Sequence, residues 1–361
     1  MQKKIKFLLT RMNFLYSFIP LAKTLSQNHD VEIIIPLRLV RNDKKPNSLV
    51  WGHNVKEALD ICHNHGIHCN YYDLELFEFK TNILFTIEGH GLQNTEKLNY
   101  EVISIQNFND FTTRIINKDS KHIYEKIDTM WVCDGRYEKL ASKLGFDGEF
   151  FVDMLPGYWQ YKDISKQYVK KQLKLEEHKK IAICYLPRSS TVYQKETHLR
   201  TIDWNTGDPK SDLNHAVMFA ERLTKEGYKV FFKQRLKNRN PELEHLTNYI
   251  EDVSIMPYTS MDMAYISDLS YGYVSAAIMD CATLQTPYIN FEKTQYPPET
   301  MSLYTQHYLG NTIIGVDINT PINDIVLPVK REQDDLMESI MSSRNNFNDF
   351  IWNKDRRAPL F

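Results

Sequence analysis

The chain has 361 residues, of which 42% are apolar and 25% are charged, and its formal net charge is −2. This length suffices for two domains with cores of their own, and the composition excludes a disordered chain. The near-neutral charge excludes the strongly basic surface by which proteins bind nucleic acid.

The N-terminus is expected to form a strand. Its apolar run is broken by Thr10 and Arg11, too early for the apolar core of a signal peptide. No stretch approaches the roughly 20 apolar residues of a transmembrane helix, and peripheral membrane contact stays open. The five cysteines are odd in number and lack the spacing of a zinc site or a disulfide framework. We therefore expect a cytoplasmic protein.

Short apolar runs alternate with helical patterns through the first part of the chain. Strands are predicted over residues 5–9, 31–36, 67–72, 83–87, 102–105 and 129–133, with helices over 14–27, 55–65 and 137–144. This rhythm predicts βαβ units and a largely parallel sheet. Residues 1–160 are accordingly expected to form a first Rossmann-like domain, and the lysine-rich residues 161–178 a linker.

The same alternation restarts near residue 181 and predicts a second doubly wound domain over residues 179–330. Its strands are predicted over residues 181–185, 229–233, 269–271 and 287–291, and its helices over 213–226, 242–250, 261–266 and 276–284. Residues 331–361 are expected to form a long helix that packs back on the first domain. Because ligands of parallel sheets bind beyond the carboxyl ends of the strands, we expect the site in the cleft between the domains.

The stretch Tyr271-Gly-Tyr-Val-Ser275 indicates an anion site at the start of a helix. Gly272 lets the backbone approach a ligand closely. Ser275 is a good N-cap, and the unpaired N–H groups and dipole of the helix suit a diphosphate. Asp280 could accept hydrogen bonds from ribose hydroxyls, and Pro287 starts the next strand.

This stretch resembles the donor-binding half of the GT-B superfamily, which includes nucleotide-sugar glycosyltransferases and UDP-N-acetylglucosamine 2-epimerase. It is also similar to the CDP-glycerol glycerophosphotransferases. In these families an acidic residue lies seven positions before a proline, as Asp280 and Pro287 do. The families usually have Glu there, so Asp280 shortens the reach, and the loop is poorer in Gly and Ser than is typical. The resemblance implies an α/β, GT-B-like fold in which two Rossmann-like doubly wound domains face a cleft and a C-terminal helix crosses back.

A loop after the strand over 181–185 contains Arg188, Ser189 and Ser190. It resembles the turn that opens the second domain of the teichoic-acid polymerases. Arg188 could pair bidentately with a donor phosphate, and the two serines could add hydrogen-bond donors.

The strand over 229–233 leads into Lys233-Gln-Arg235, where those polymerases commonly have Lys-Pro-His. The missing histidine counts against a glycerophosphotransferase. Lys233 and Arg235 could instead neutralise a diphosphate leaving group.

In the first domain, Glu88-Gly-His90 lies just beyond a buried strand, with glycines on both sides of the histidine. It resembles the His-Gly turn of the polymerases, whose histidine acts on the acceptor hydroxyl. A neutral His90 could take a proton from an attacking hydroxyl, and Glu88 could orient it or be the base itself.

These residues predict a glycosyltransferase that moves a sugar from a nucleotide-sugar donor to a glycan or lipid-linked acceptor in surface-polysaccharide synthesis. The sequence shows no Asp-x-Asp pair in the expected position, so we expect neither a metal ion nor a cofactor besides the donor. Three alternatives stay open: an epimerase like UDP-N-acetylglucosamine 2-epimerase, a CDP-polyol phosphotransferase of teichoic-acid type, and a degenerate protein that binds a nucleotide sugar or glycan without turnover.

Overall fold

The computed structural model describes residues 2–37, 55–92, 96, 98–106, 121–143, 145–177, 180–186, 209–235, 249–252, 259–272, 277–291, 312–314, 320–325 and 333–357. The chain divides into two compact units. One comprises Met1–Asp163 and Asp334–Phe361, and the other comprises Ile164–Gln333.

The first unit is built on a parallel sheet of seven strands. They are β1 (Lys4–Leu8), β2 (Asp30–Pro36), β3 (Cys69–Tyr72), β4 (Ile83–Ile87), β5 (Glu101–Ile105), β6 (Thr129–Val132) and β7 (Glu149–Val152). Their order in space is β3-β2-β1-β4-β5-β6-β7. The central strands are buried apolar runs, as expected for a sheet covered on both faces. The strand order reverses between β1 and β4, which makes this edge the topological switch point.

Helices and short 3₁₀ turns connect these strands. The helices are α1 (Leu15–Leu25), α2 (Val55–Asn64), α3 (Lys121–Tyr124) and α4 (Gly135–Lys143). A 3₁₀ turn at Met12–Phe14 precedes α1 directly. Phe7 of β1 lies between Phe18 of α1 and Phe85 of β4, at ring-centroid distances of 5.2 and 4.8 Å. These aromatic contacts fix α1 against the centre of the sheet.

The second unit is built on a parallel sheet of six strands. They are β8 (Ile181–Tyr185), β9 (Lys229–Arg235), β10 (Tyr249–Asp252), β11 (Leu269–Gly272), β12 (Tyr288–Asn290) and β13 (Thr312–Ile314). Their order is β10-β9-β8-β11-β12-β13. The switch point of this sheet therefore lies between β8 and β11.

The helices of the second unit are α5 (Lys166–Gln172), α6 (Pro209–Lys225), α7 (Ser260–Ile266) and α8 (Ala277–Thr283). The rings of Phe219, Tyr271 and Phe291 contact one another at centroid distances of 5.0 to 5.9 Å. They join α6 to β11 and to the residue after β12. The apolar core of this unit thus lies directly beneath the strand that carries Gly272.

The last described helix, α9 (Gln333–Arg357), packs on the first sheet. The ring of Phe347 stacks on Trp131 of β6 at 4.4 Å. Trp159 donates a hydrogen bond from Nε1 to Oγ of Ser343 at 3.1 Å, across 184 residues of sequence. The predicted fold class is therefore confirmed: two Rossmann-like doubly wound domains and a C-terminal helix that returns to the first of them.

The structure differs from the sequence prediction in one connection, in three strands and in two helices, of which α3 was not predicted. The stretch expected as a linker contains α5, whose Val169 is buried, and Tyr265 donates a hydrogen bond to the carbonyl of Ile164 at 2.9 Å. This stretch belongs to the second unit. The strands β7, β10 and β13 were not predicted, and the helix predicted over 242–250 overlaps the start of β10. All three are short strands at a sheet edge, where the apolar signal is weakest.

Candidate functional site

The Glu88-Gly-His90 segment forms a tight turn at the switch point of the first sheet. The N–H of His90 bonds the carbonyl of Ile87, the last residue of β4, at 2.8 Å. The N–H of Glu88 bonds the carbonyl of Ile105, the last residue of β5, at 3.0 Å. The turn is thus anchored to two neighbouring strand ends, where ligands of parallel sheets bind.

The backbone of this turn is strained at Glu88. Glu88 has φ +49°, and Gly89 and Gly91 have φ +65° and +94°. A left-handed conformation costs a residue with a Cβ about 1–2 kcal/mol. A Cβ on Gly89 would lie 2.5 Å from Cγ2 of Ile123, so only glycine fits there. Strain of this kind in a non-glycine residue concentrates at functional sites.

Two hydroxyl groups hold the peptide groups of the turn. Thr86 of β4 and Ser104 of β5 are register partners, and both are buried. Thr86 donates from Oγ1 to the carbonyl of His90 at 2.8 Å, and Ser104 accepts at Oγ from the N–H of Gly89 at 3.0 Å. Each hydroxyl therefore satisfies a buried backbone group of the turn.

A lysine holds the residues that follow the turn. Lys126 donates from Nζ to the carbonyl of Leu92 at 2.7 Å. Burial lowers the pKa of Lys126, and the nearby Glu125 opposes this shift. The turn and the residues after it are therefore held by Ser104 and Lys126, which lie 15 and 34 residues away from their partners in sequence.

The side chains of Glu88 and His90 are almost fully buried, with 1% and 6% of their surface exposed. The His90 ring packs against Phe14 at a centroid distance of 5.4 Å. A carboxyl group and an imidazole thus sit two residues apart in a largely apolar setting. Such a pair can move a proton to or from a hydroxyl that reaches it.

In the second unit, Gly272 ends β11 at the switch point. Its φ is +143°, and a Cβ there would lie 2.3 Å from the carbonyl oxygen of Tyr185. Gly272 and Tyr185 are register partners on β11 and β8. The close approach of the two strands therefore requires glycine at this position, in addition to the ligand approach proposed from sequence.

Four residues form one row across the carboxyl edge of the second sheet. Tyr185 of β8 pairs in register with Lys233 of β9 and with Gly272 of β11, which in turn pairs with Asn290 of β12. Lys233 is buried, with 3% of its surface exposed, and Asn290 is fully buried. The row thus places a cation on β9 and a carboxamide on β12, the strands on either side of the β8–β11 switch point.

The carboxylate that was predicted to bind ribose belongs to α8, the helix that follows β11. Asp280 is the fourth residue of α8 and is fully buried. A ribose contact therefore requires this carboxylate to become accessible when a nucleotide binds.

The remaining predicted donor residues cannot be placed from the structure. Arg188, Ser189, Ser190 and Ser275 lie outside the described residues, as does the side chain of Arg235, whose backbone ends β9. Within the described ranges, no group of three or more His, Cys, Asp or Glu side chains is arranged to hold a metal ion. In the same ranges, no helix has the length and apolar character that crossing a membrane requires.

Sequence reasoning did not select Thr86, Ser104, Lys126 or Asn290. Three of them lie in or at the end of buried strands, where a polar side chain within an apolar run is itself a signal. Lys126 carries no such signal, because its partner Leu92 is 34 residues away.

Comparison with known proteins gives structural neighbours only, since no family model and no curated protein sequence matches the chain. A UDP-N-acetylglucosamine 2-epimerase structure superimposes with a TM-score of 0.57 and 10% identity, covering 99% of this chain and 98% of that one. The Methanocaldococcus jannaschii UDP-GlcNAc 2-epimerase, in complex with UDP-GlcNAc and UDP, superimposes with a TM-score of 0.52 and 12% identity, covering 95% of this chain and 93% of that one. A candidate UDP-N-acetylglucosamine 2-epimerase from Listeria monocytogenes superimposes with a TM-score of 0.56 and 10% identity, covering 96% of this chain and 90% of that one. At such identities the likeness establishes the GT-B-like fold.

Proposed function

We propose that this protein is an enzyme that acts on a nucleotide sugar and transfers the sugar to a hydroxyl group of a glycan or lipid-linked acceptor. One observation carries the proposal: each of the two sheets presents buried polar groups at its switch point or on the adjacent strand. The first sheet presents Glu88 and His90, and the second presents Lys233, which is separated from Gly272 by Tyr185 of β8. Two such edges match the two partners of a transfer reaction, a donor and an acceptor.

On the acceptor side, the acceptor oxygen would attack the anomeric carbon of the donor sugar. Its proton would pass to His90, with Glu88 orienting the imidazole, or to Glu88 itself. The bond between the anomeric carbon and the diphosphate oxygen would break, and the nucleoside diphosphate would leave with the bonding electrons. The strained, doubly anchored turn would hold the base in place for this step.

On the donor side, the diphosphate would be held by cations and hydroxyl groups after β8, β9 and β11. These groups are Arg188, Ser189, Ser190, Lys233, Arg235 and Ser275, with Gly272 at the end of β11. Lys233 supports this role by its position, since it lies at the carboxyl edge in register with Tyr185. Asp280 would bind the ribose hydroxyls.

A 2-epimerase is the second candidate, and the structural neighbours favour it. Two of the three neighbours described above carry the name of a UDP-GlcNAc 2-epimerase outright, and one of these was solved with UDP-GlcNAc and UDP. An epimerase changes the configuration at C2 of the sugar and needs no acceptor. The same Glu88 and His90 pair could serve that proton chemistry.

The experiment combines binding with product analysis. Calorimetric titration with UDP-GlcNAc, UDP-glucose and CDP-glycerol identifies the donor. Release of free UDP only when an acceptor is added supports glycosyl transfer, while a C2 epimer of the donor formed without acceptor supports the epimerase. Release of CMP from CDP-glycerol supports polyol-phosphate transfer. Binding without turnover supports a binding protein, and the absence of binding to every nucleotide refutes the proposal.

Two variants assign the roles. His90→Ala is expected to lower turnover and spare donor binding, while Asp280→Asn is expected to weaken donor binding by about 10-fold or more, since it removes charged hydrogen bonds. The matched controls are His122→Ala and Asp324→Ala, both at exposed positions. Full turnover in His90→Ala would rule out that histidine as the base.

A further inference from the structure

The loop after β1 reaches the same sheet edge as the Glu88-Gly-His90 turn. Beyond β1, the N–H of Leu9 still bonds β2, at the carbonyl of Ile34 and 2.9 Å. In the register of β1 and β4, Phe7 pairs with Phe85. Thr10 lies two residues beyond the end of β1, and Glu88 lies one residue beyond the end of the neighbouring β4.

Thr10 and Asn13 have buried side-chain oxygens without a hydrogen-bond partner. Thr10 has 7% of its surface exposed, and neither its Oγ1 nor the Oδ1 of Asn13 is bonded within the described structure. Leaving such groups unbonded is unfavourable, and native proteins rarely do so. Two of them within four residues therefore call for a ligand.

Other buried threonine hydroxyls show the usual behaviour. Thr24 donates to the carbonyl of Pro20, Thr86 to the carbonyl of His90, and Thr286 to the carbonyl of Ala264. Thr10 departs from this pattern at the edge of the sheet where the candidate site lies.

The loop that carries the two oxygens contacts His90 through one aromatic ring. Phe14 follows Asn13 directly, and its ring packs on the His90 imidazole at 5.4 Å. The N–H of Phe14 bonds the carbonyl of Arg11 at 3.1 Å, which holds the loop in a 3₁₀ turn. The loop and the His90 turn therefore form one continuous edge.

We propose that Thr10 and Asn13 form a subsite that binds the hydroxyl groups of a sugar beside His90. The side-chain oxygen of Asn13 only accepts hydrogen bonds, and the hydroxyl of Thr10 both donates and accepts. The ligand must therefore carry donors, as a polyhydroxylated sugar does and a fully ionised phosphate does not. The subsite rests on the proposed function in that it supplies the sugar-binding part of the same site.

The first test measures stability. A ligand-binding threonine gains nothing from its hydroxyl in the free protein, so Thr10→Val is expected to leave Tm unchanged or raise it. The control Thr286→Val breaks a buried hydrogen bond and is expected to lower Tm by roughly 2–4 °C. A drop in Tm for Thr10→Val as large as the control's would show a structural role and overturn the proposal.

The second test measures binding by NMR of the Thr10 methyl group, with N-acetylglucosamine, UDP-N-acetylglucosamine, UDP and inorganic phosphate as probes. The two sugars are expected to shift this signal, and phosphate is not. Thr10→Val and Asn13→Leu are expected to weaken sugar binding about 5- to 10-fold, as the loss of one hydrogen bond does, and to spare UDP binding. Thr10→Ser keeps a hydroxyl group and is therefore expected to bind the sugars as the wild type does.

The outcomes separate this inference from the proposed function. Sugar-dependent shifts at Thr10 without any UDP binding would support the subsite and contradict a nucleotide-sugar enzyme. UDP binding without a sugar-dependent shift at Thr10 would overturn the subsite alone. A fixed water that still bridges Thr10 and Asn13 in a sugar-bound crystal would overturn it as well.

Discussion

Ser104 accepts a 3.0 Å hydrogen bond from the N–H of Gly89, the residue that separates Glu88 from His90. The hydroxyl comes from the neighbouring strand and satisfies a backbone donor that would otherwise be buried without a partner. We expect Ser104→Ala to lower the free energy of unfolding by about 1–3 kcal/mol, because it leaves that N–H unsatisfied. We also expect it to reduce kcat while the KM for the donor stays the same, since the proposed base lies on this turn.

The control for this prediction is Ser339→Ala, which removes an exposed hydroxyl bonded to the carbonyl of Asp335 on α9. It should change neither stability nor kcat measurably. A purely structural role of Ser104 would show as lost stability with unchanged kcat per folded molecule.

Glu88 offers a test of whether strain is retained for function. Glu88→Gly relieves the left-handed backbone and removes a buried carboxyl group, so we expect Tm to rise while turnover falls. Lys174→Gly is the matched control, because Lys174 also has positive φ, at +58°, but is exposed. Thermal unfolding and turnover of both variants decide the point. If Glu88→Gly had a lower Tm than the wild type while Lys174→Gly did not, the carboxyl group of Glu88 would be required for stability.

Gly272 is predicted to tolerate no side chain. In Gly272→Ala the new Cβ would lie 2.3 Å from the carbonyl oxygen of Tyr185, so β8 and β11 would have to separate. Gly227→Ala is the control, because Gly227 has φ +86° but no atom within 4 Å of a Cβ. We expect the control to cost about 1 kcal/mol from backbone conformation alone and Gly272→Ala to cost several times more. Equal urea midpoints for the two variants would contradict the packing argument.

Glu32 gives the first unit a pH-dependent contribution to stability. Burial favours its neutral form, but hydrogen bonds from Lys6, Tyr72 and Asn70 outweigh burial and lower the pKa of Glu32. A lowered pKa means that the ionised form stabilises the folded state above the ordinary value of 4.5 and that this contribution is lost as the pH falls below it.

We therefore expect Glu32→Gln to lower the free energy of unfolding by about 1–3 kcal/mol at pH 7. The difference from the wild type should shrink as the pH is lowered from 4.5 toward acid. Urea unfolding at several pH values measures it, with the exposed Glu176→Gln as control. A difference that stayed constant down to pH 3 would show that charge is not its source.

Phe347 is expected to determine whether α9 stays on the first unit. Its ring is fully buried and contacts those of Trp131, Phe151 and Trp159. Phe347→Ala should lower the free energy of unfolding by about 3–5 kcal/mol, as is usual for a buried aromatic residue, and expose α9 to proteolysis. Trp352→Ala, on the same helix but 54% exposed, is the control. Comparable proteolysis of the two variants would contradict this role.

Much of the fold follows from the sequence, because strands that are covered on both faces must be continuous apolar runs. The runs at residues 83–87 and 181–185 coincide with β4 and β8 to the residue. The edge strands β7, β10 and β13 were not predicted, because a strand of three or four residues at a sheet edge contains too short an apolar run to be recognised in the sequence.

The candidate site was also predictable from the sequence only in part. The local pattern of residues alone predicted that Glu88, His90 and Gly272 follow buried strands, because position along a strand is a property of the sequence. That Ser104 holds Gly89, that Gly272 lies against Tyr185 and that Thr10 and Glu88 follow neighbouring strands was decided by the strand order and register. These contacts depend on which strands become neighbours. The packing of the whole sheet determines the strand order, and no single segment of the sequence does.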